Sequence, residues 1–228
     1  MNTIFAVIAV FAAVAAPNQN RVKNGGPVRI EGEGKFAVVN TCAANKAPLE
    51  AATKTIGKIL AISTEVADGK WTLAGADEAR KASGANVAVF VTKDAALPIS
   101  LIAMESRWGV VNANGMDDSK IEKEVIRVAT VLLGAAQSRY EASAMRPVAT
   151  LADLDKAGNI ITIDGLMAIS SHLKDLGITT YHTMSYRDAC YEGLAPAPRN
   201  DLEKQIAKEV ADELAAEEKA KKENAKAK

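Results

Sequence analysis

The stretch "KIEKEVIRVATVLLGAAQSRYEASAMRPV", residues 120–148, decides how the chain is read. Ile121, Val125, Val128, Ala129, Leu132 and Ala136 recur at helical spacing, and Ile126 and Leu133 widen the stripe. An apolar band this broad belongs to a helix buried on most of its sides, packed against a sheet. Asp117, Asp118 or Ser119 supplies the N-cap, with acids in the first turn. Gly134 ends the helix, and a turn of small residues carrying Met145 and Pro147 follows.

Upstream, "PVRIEGEGKFAVVNT" alternates and then runs apolar from Phe36 to Val39, a strand pattern. Pro48 opens a helix over "PLEAATKTIGKILAIS", with Leu49, Ala52, Ile56, Ile59 and Leu60 on one face. Lys70–Leu73 has the composition of a short strand, and "GADEARKAS" that of a short helix stopped by Gly84. "NVAVFVTKD" is a buried-type strand rich in β-branched residues, and "ISLIAM" and "RWGVVNA" are two more. Downstream, "TLADLDKAG", "TIDGLMAISSHLKDLG" and "SYRDACYEGL" are helical. The expected architecture is α/β: a mixed twisted sheet with a long buried central helix and a helical C-terminal part. The expected organisation is a signal peptide (1–15), a polar linker (16–26), the α/β domain (27–195), and an exposed amphipathic helix with a charged tail (196–228).

Lysine plus arginine equals aspartate plus glutamate at 28 each, so no global field draws the chain to nucleic acid or anionic lipid. Aromatic residues make up 4%, too few for base-stacking or sugar-binding platforms. The apolar run from Ile4 to Ala16 is shorter than the roughly 20 residues a bilayer span needs. It suits the core of a secretory signal, with Ala13-Val14-Ala15 as the cleavage site, although no Lys or Arg precedes it. A buried helix or a retained anchor is the alternative. After cleavage no stable membrane span is expected, and the mature chain is secreted or periplasmic. Export would permit one disulfide between Cys42 and Cys190; two unrelated thiols are the alternative.

Together, the strand–helix–strand front half, the buried helix closing on Gly134 and the Ser-x-Met-x-Pro turn at Ser143, Met145 and Pro147 resemble the metzincin metallopeptidases, archaemetzincins in particular. Lys123-Glu124 and "SAMRP" (143–147) are similar to archaemetzincin sequence, and the likeness covers about residues 28–155. In that family the helix carries His-Glu-x-x-His-x-x-Gly, and the Met-turn supports the zinc ligands from beneath. The resemblance sets "RVATVLLG" (127–134) against that motif. Arg127 then stands at the first histidine position, Val128 at the glutamate base, Val131 at the second histidine and Gln137 near the third. Valine offers no lone pair, and arginine brings a permanent positive charge where a cation should sit. The resemblance therefore implies a peptidase-like fold without the metal, with no cofactor and no catalytic residue on this helix. Arg127 and Gln137 become candidate ligand-binding residues, Arg127 toward a peptide C-terminus or a neighbouring acid such as Glu124.

Two other chemistries compete. Cys42, at a strand end, would be a nucleophile if folding brought His172 or, as the expected base, His182 beside it. His172, His182 and the two cysteines match no standard zinc spacing. "GEGKF" precedes a strand and lacks the spacing of a phosphate loop, and the acids at Asp117-Asp118 and Asp153/Asp155 read as helix caps and a solvated face. The expectation is a secreted, non-catalytic protein with a binding or structural role toward an unknown protein or peptide. A thiol hydrolase using Cys42 is the alternative.

Overall fold

The computed structural model describes residues 24–226, with side chains through residue 223. The signal-peptide reading of residues 1–15 and most of the linker lie outside the described residues. In chain order the elements are β1 (Pro27–Ile30), β2 (Phe36–Asn40), α1 (Lys46–Leu60), β3 (Thr64–Asp68), α2 (Ala76–Ala82), β4 (Val87–Thr92), β5 (Ser100–Ala103), β6 (Trp108–Asn112), α3 (Asp118–Leu132), α4 (Leu151–Lys156), α5 (Ile163–His172), β7 (His182–Ser185), α6 (Tyr186–Tyr191) and α7 (Asp201–Lys226). The described residues divide into two compact units: Glu31–His182, and a second unit joining residues 24–30 with residues 183–226.

The first unit is built on a five-stranded sheet ordered β3-β2-β4-β6-β5. Neighbours are parallel except β5, which runs antiparallel to β6 at one edge. Central strand β4 shows why the sheet is filled on both faces. Val87, Val89 and Val91 enter one core with Leu49, Ile56, Val125 and Leu132 of α1 and α3. Ala88 and Phe90 enter the opposite core, where Trp71 stacks on Phe90 at 5.7 Å between ring centroids. Residues alternate in direction along a strand, so a strand covered on both sides is apolar throughout. Each large aliphatic side chain buried this way contributes about 1.5–3 kcal/mol.

Several local expectations are corrected. The 27–41 stretch is two strands, separated at Gly32 and Gly34 and placed in different sheets. Helix α1 stops at Leu60, where Ala61 turns left-handed (φ 54°), and Ile59 is exposed. The next strand is Thr64–Asp68, not Lys70–Leu73. As an edge strand it has one face and one side to cover and tolerates Thr, Glu and Asp, so its sequence signal is weak. Ala136 lies beyond the end of α3.

In the second unit β1 pairs with β7, and Val28, Ile30, Tyr186, Ala189, Ile206 and Val210 form its core. Pro196 and Pro198 lie within this unit, and Tyr186 donates its hydroxyl to Pro196 O at 3.2 Å. Helix α7 is therefore docked through its first half and exposed along its second, with Ile206 and Val210 buried and Leu214 at 40% exposure. Among the described residues no helix is long and apolar enough to cross a membrane.

Candidate functional site

Asp117 caps α3 by accepting from Lys120 N at 2.8 Å; that bond, with the Lys120 ammonium, holds the Asp117 carboxyl below its ordinary range. The helix then buries Ile121 and an unbroken run from Glu124 to Thr130. Two charged residues are inside that run. Glu124 is 0% exposed and Arg127 5%. Arg127 Nε donates to Glu124 Oε2 at 2.8 Å, and its Nη2 donates both to Glu124 Oε1 and, at 2.6 Å, to Ser100 Oγ on β5. Burying a guanidinium is tolerable only when its charge and its donors are matched, and this fork is matched. Within the chain, the carboxylate that Arg127 holds is that of Glu124.

The other positions of the "RVATVLLG" segment are equally without donors for a metal. Val128 is fully buried and faces β6; a Cβ added at Gly109 would lie 2.6 Å from Val128 Cγ1. Val131 is half-buried, and Gln137 points to solvent beyond Gly134, which has φ +109°. Zinc needs three lone-pair donors around one point. A paired guanidinium, two isopropyl groups and an exposed amide do not fit it. Among the described residues no three His, Cys, Asp or Glu side chains gather where a metal could be held.

The turn after the helix is closely packed. Ser143 and Met145 are buried, and Met145 joins the same core as Val125, Val128 and Ala129. Ser143 Oγ accepts from Met145 N at 3.0 Å, and Met145 O accepts from Ser138 N at 3.1 Å. Ser143 bridges to Ile160, while Pro147 is exposed. Gly165 of α5 lies against the thioether: a Cβ there would stand 2.6 Å from Met145 Sδ. A larger residue there would require the flexible end of Met145 to move.

Cys42 and Cys190 are both free thiols in this structure. They belong to different compact units, and each packs against its own core. Burial pushes the Cys190 thiol up, against a smaller opposite effect of the Tyr186 hydroxyl. Cys42 Sγ lies 3.9 Å from Asn40 Oδ1, and among the described residues no hydrogen bond joins it to a histidine. His182 is exposed on β7. His172 sits over Gly134 with Nδ1 3.6 Å from Asp175 Oδ2. A thiol hydrolase would need its base within hydrogen-bond reach of the nucleophile, and among the described residues no such bond to Cys42 is made.

Two features carry no signal in the sequence. Ser100 was one residue of a short strand with nothing to mark it, and it completes the Arg127 network. An open crevice of about 470 Å³ lies where β2 and β3 end, lined by Asn40, Thr41, Lys46 and Asp68 among others, with Lys46 Nζ 2.6 Å from Asp68 Oδ2. Asn40 closes on itself there, its amide bonding both Ala44 N and Ala44 O.

No protein-family model and no curated protein sequence matches the chain. Solved structures do match in fold. The archaemetzincin of Methanopyrus kandleri aligns with a TM-score of 0.50 at 12% identity, over 62% of this chain and 96% of its own. A zinc-dependent peptidase from Methanocorpusculum labreanum aligns at 0.47 and 13% identity, over 59% and 99%. The archaemetzincin of Archaeoglobus fulgidus in complex with malonate aligns at 0.44 and 13%, over 59% and 99%. The chain has an archaemetzincin-like, metallopeptidase-like fold.

Proposed function

We propose that this chain is an exported, non-catalytic protein that uses a peptidase-like fold for binding a protein or peptide, or as a structural element. The observation that carries the reading is the Glu124–Arg127–Ser100 network. At the position where the resembled family places its first zinc-binding imidazole, this chain has a guanidinium whose Nε and Nη2 donors are engaged inside the protein. Val128 and Val131 supply neither a base nor a ligand. Gln137, exposed just past Gly134, is the member of this group available to a ligand, while Arg127 ties α3 to β5 through Ser100.

Hydrolysis of a peptide library by the purified chain, with added zinc and separately with a chelator, tests the reading. No cleavage is expected in either condition, and chelator-sensitive cleavage would overturn it. Export rests on the apolar run and the Ala13-Val14-Ala15 site. The intact mass of the chain recovered outside the cytoplasm should correspond to a start at Ala16. A chain beginning at Met1 in that fraction argues for a retained anchor.

A further inference from the structure

The second unit carries an open groove of about 370 Å³. Helix α7 forms one wall with Ala207, Ala211 and Leu214, and Pro196, Pro198 and Cys190 line the remainder. Leu214 is 40% exposed at the mouth. The methyl groups of Ala207 and Ala211 leave room for the backbone of another helix to approach closely. What should lie there is indicated by the charges at the ends of that wall. Lys204 is three residues before Ala207 and Glu218 four after Leu214, so both stand on the groove side of the helix. Their side chains are 66% and 76% exposed, held only by the surface neighbours Asp201 and Lys222. The groove wall thus offers Lys204 at one end, apolar residues in the middle and Glu218 at the other, each charge held by an exposed neighbour that a partner copy could replace.

A wall with that pattern is complementary to itself when reversed. A second α7 laid antiparallel and centred on Ala211 sets Lys204 of each copy opposite Glu218 of the other. The same register seats Leu214 of each copy beside Ala207 and Ala211 of its partner. A parallel copy would set lysine against lysine. Contacts that repeat with the roles exchanged are what a two-fold interface requires. We propose that the groove is the seat of a second copy of this chain, and that the protein self-associates through antiparallel α7 helices. This holds whether or not the sheet unit has catalytic activity.

Sedimentation equilibrium on the purified full chain, from micromolar to about a hundred micromolar, tests it. A mass rising to twice that of the monomer is expected. Leu214→Asp should hold the protein monomeric with an unchanged circular dichroism spectrum, because Leu214 is already half-solvated in the single chain. Lys204→Glu alone should weaken association about threefold to tenfold, since two surface pairs become repulsive. Adding Glu218→Lys to that variant should restore it. A wild-type chain that stays monomeric throughout overturns the proposal. So does association indifferent to Leu214→Asp, or a charge swap that fails to restore what the single reversal removed.

Discussion

Helices α3 and α7 are both amphipathic and both rich in charge, and they place that charge oppositely. In α3, Glu124 and Arg127 are inside the protein and satisfy each other three residues apart. In α7, Glu217 with Lys221 and Glu218 with Lys222 pair at four-residue spacing in full contact with water. The sequence spacing is nearly the same, but the surroundings make the first pair a structural element and the second a means of keeping an exposed helix soluble. A charge pair acquires energetic weight from what surrounds it, because water screens the exposed pair while the buried one has no substitute partner.

Breaking the buried pair should give the largest effect. Arg127→Ala leaves Glu124 uncompensated in the core and is expected to lower stability by about 3–5 kcal/mol, read by urea denaturation. Replacing both together, as Glu124→Leu with Arg127→Met, should recover most of that loss. A silent Arg127→Ala would erase the contrast between the helices. Truncation of the buried apolar support comes next: Met145→Ala should cost about 2–4 kcal/mol, measured the same way.

The docked half of α7 lies between the extremes. Glu203 is held below its ordinary range, first by the Arg199 side chain, and Glu209 by Gln205 and then Arg187. A carboxylate with a depressed folded value stabilises the fold above its unfolded value and loses that contribution as pH falls through the folded one. Protection of the 203–210 amides from hydrogen exchange should therefore decline as pH drops below about 4. Glu203→Gln should flatten that dependence. Removal of the exposed Glu217–Lys221 pair by Glu217→Ala is expected to leave the melting temperature unchanged, as for most solvated pairs.

Much of the sheet unit was legible in the sequence because its signals are local. The β-branched run of β4, the broad stripe of α3 and the Ser143–Met145–Pro147 turn each identify themselves within a few residues. Edge strand β3 was not, since Thr64, Glu65 and Asp68 carry little apolar signal. Pairing of β1 with β7 joins residues near opposite ends of the chain, and no window of sequence contains both. At the candidate site, the mismatch of Arg127 and Val131 with zinc ligation was readable from residue chemistry alone. Glu124 was readable as well, as the acid three residues before Arg127 in an otherwise apolar stripe. The part played by Ser100 was not, because it depends on which distant segments fold together.

The pairing of β1 with β7 also imposes an order on synthesis. Strand β1 leaves the ribosome about 150 residues ahead of β7, and by then every strand of the five-stranded sheet has already been made. Until translation nears its end, Val28 and Ile30 have no strand to pair with and no Tyr186, Ile206 or Val210 to cover them. A nascent chain stalled before residue 182 would therefore show a foldable sheet and a sticky, unpaired leading strand, the form in which chaperones would meet it.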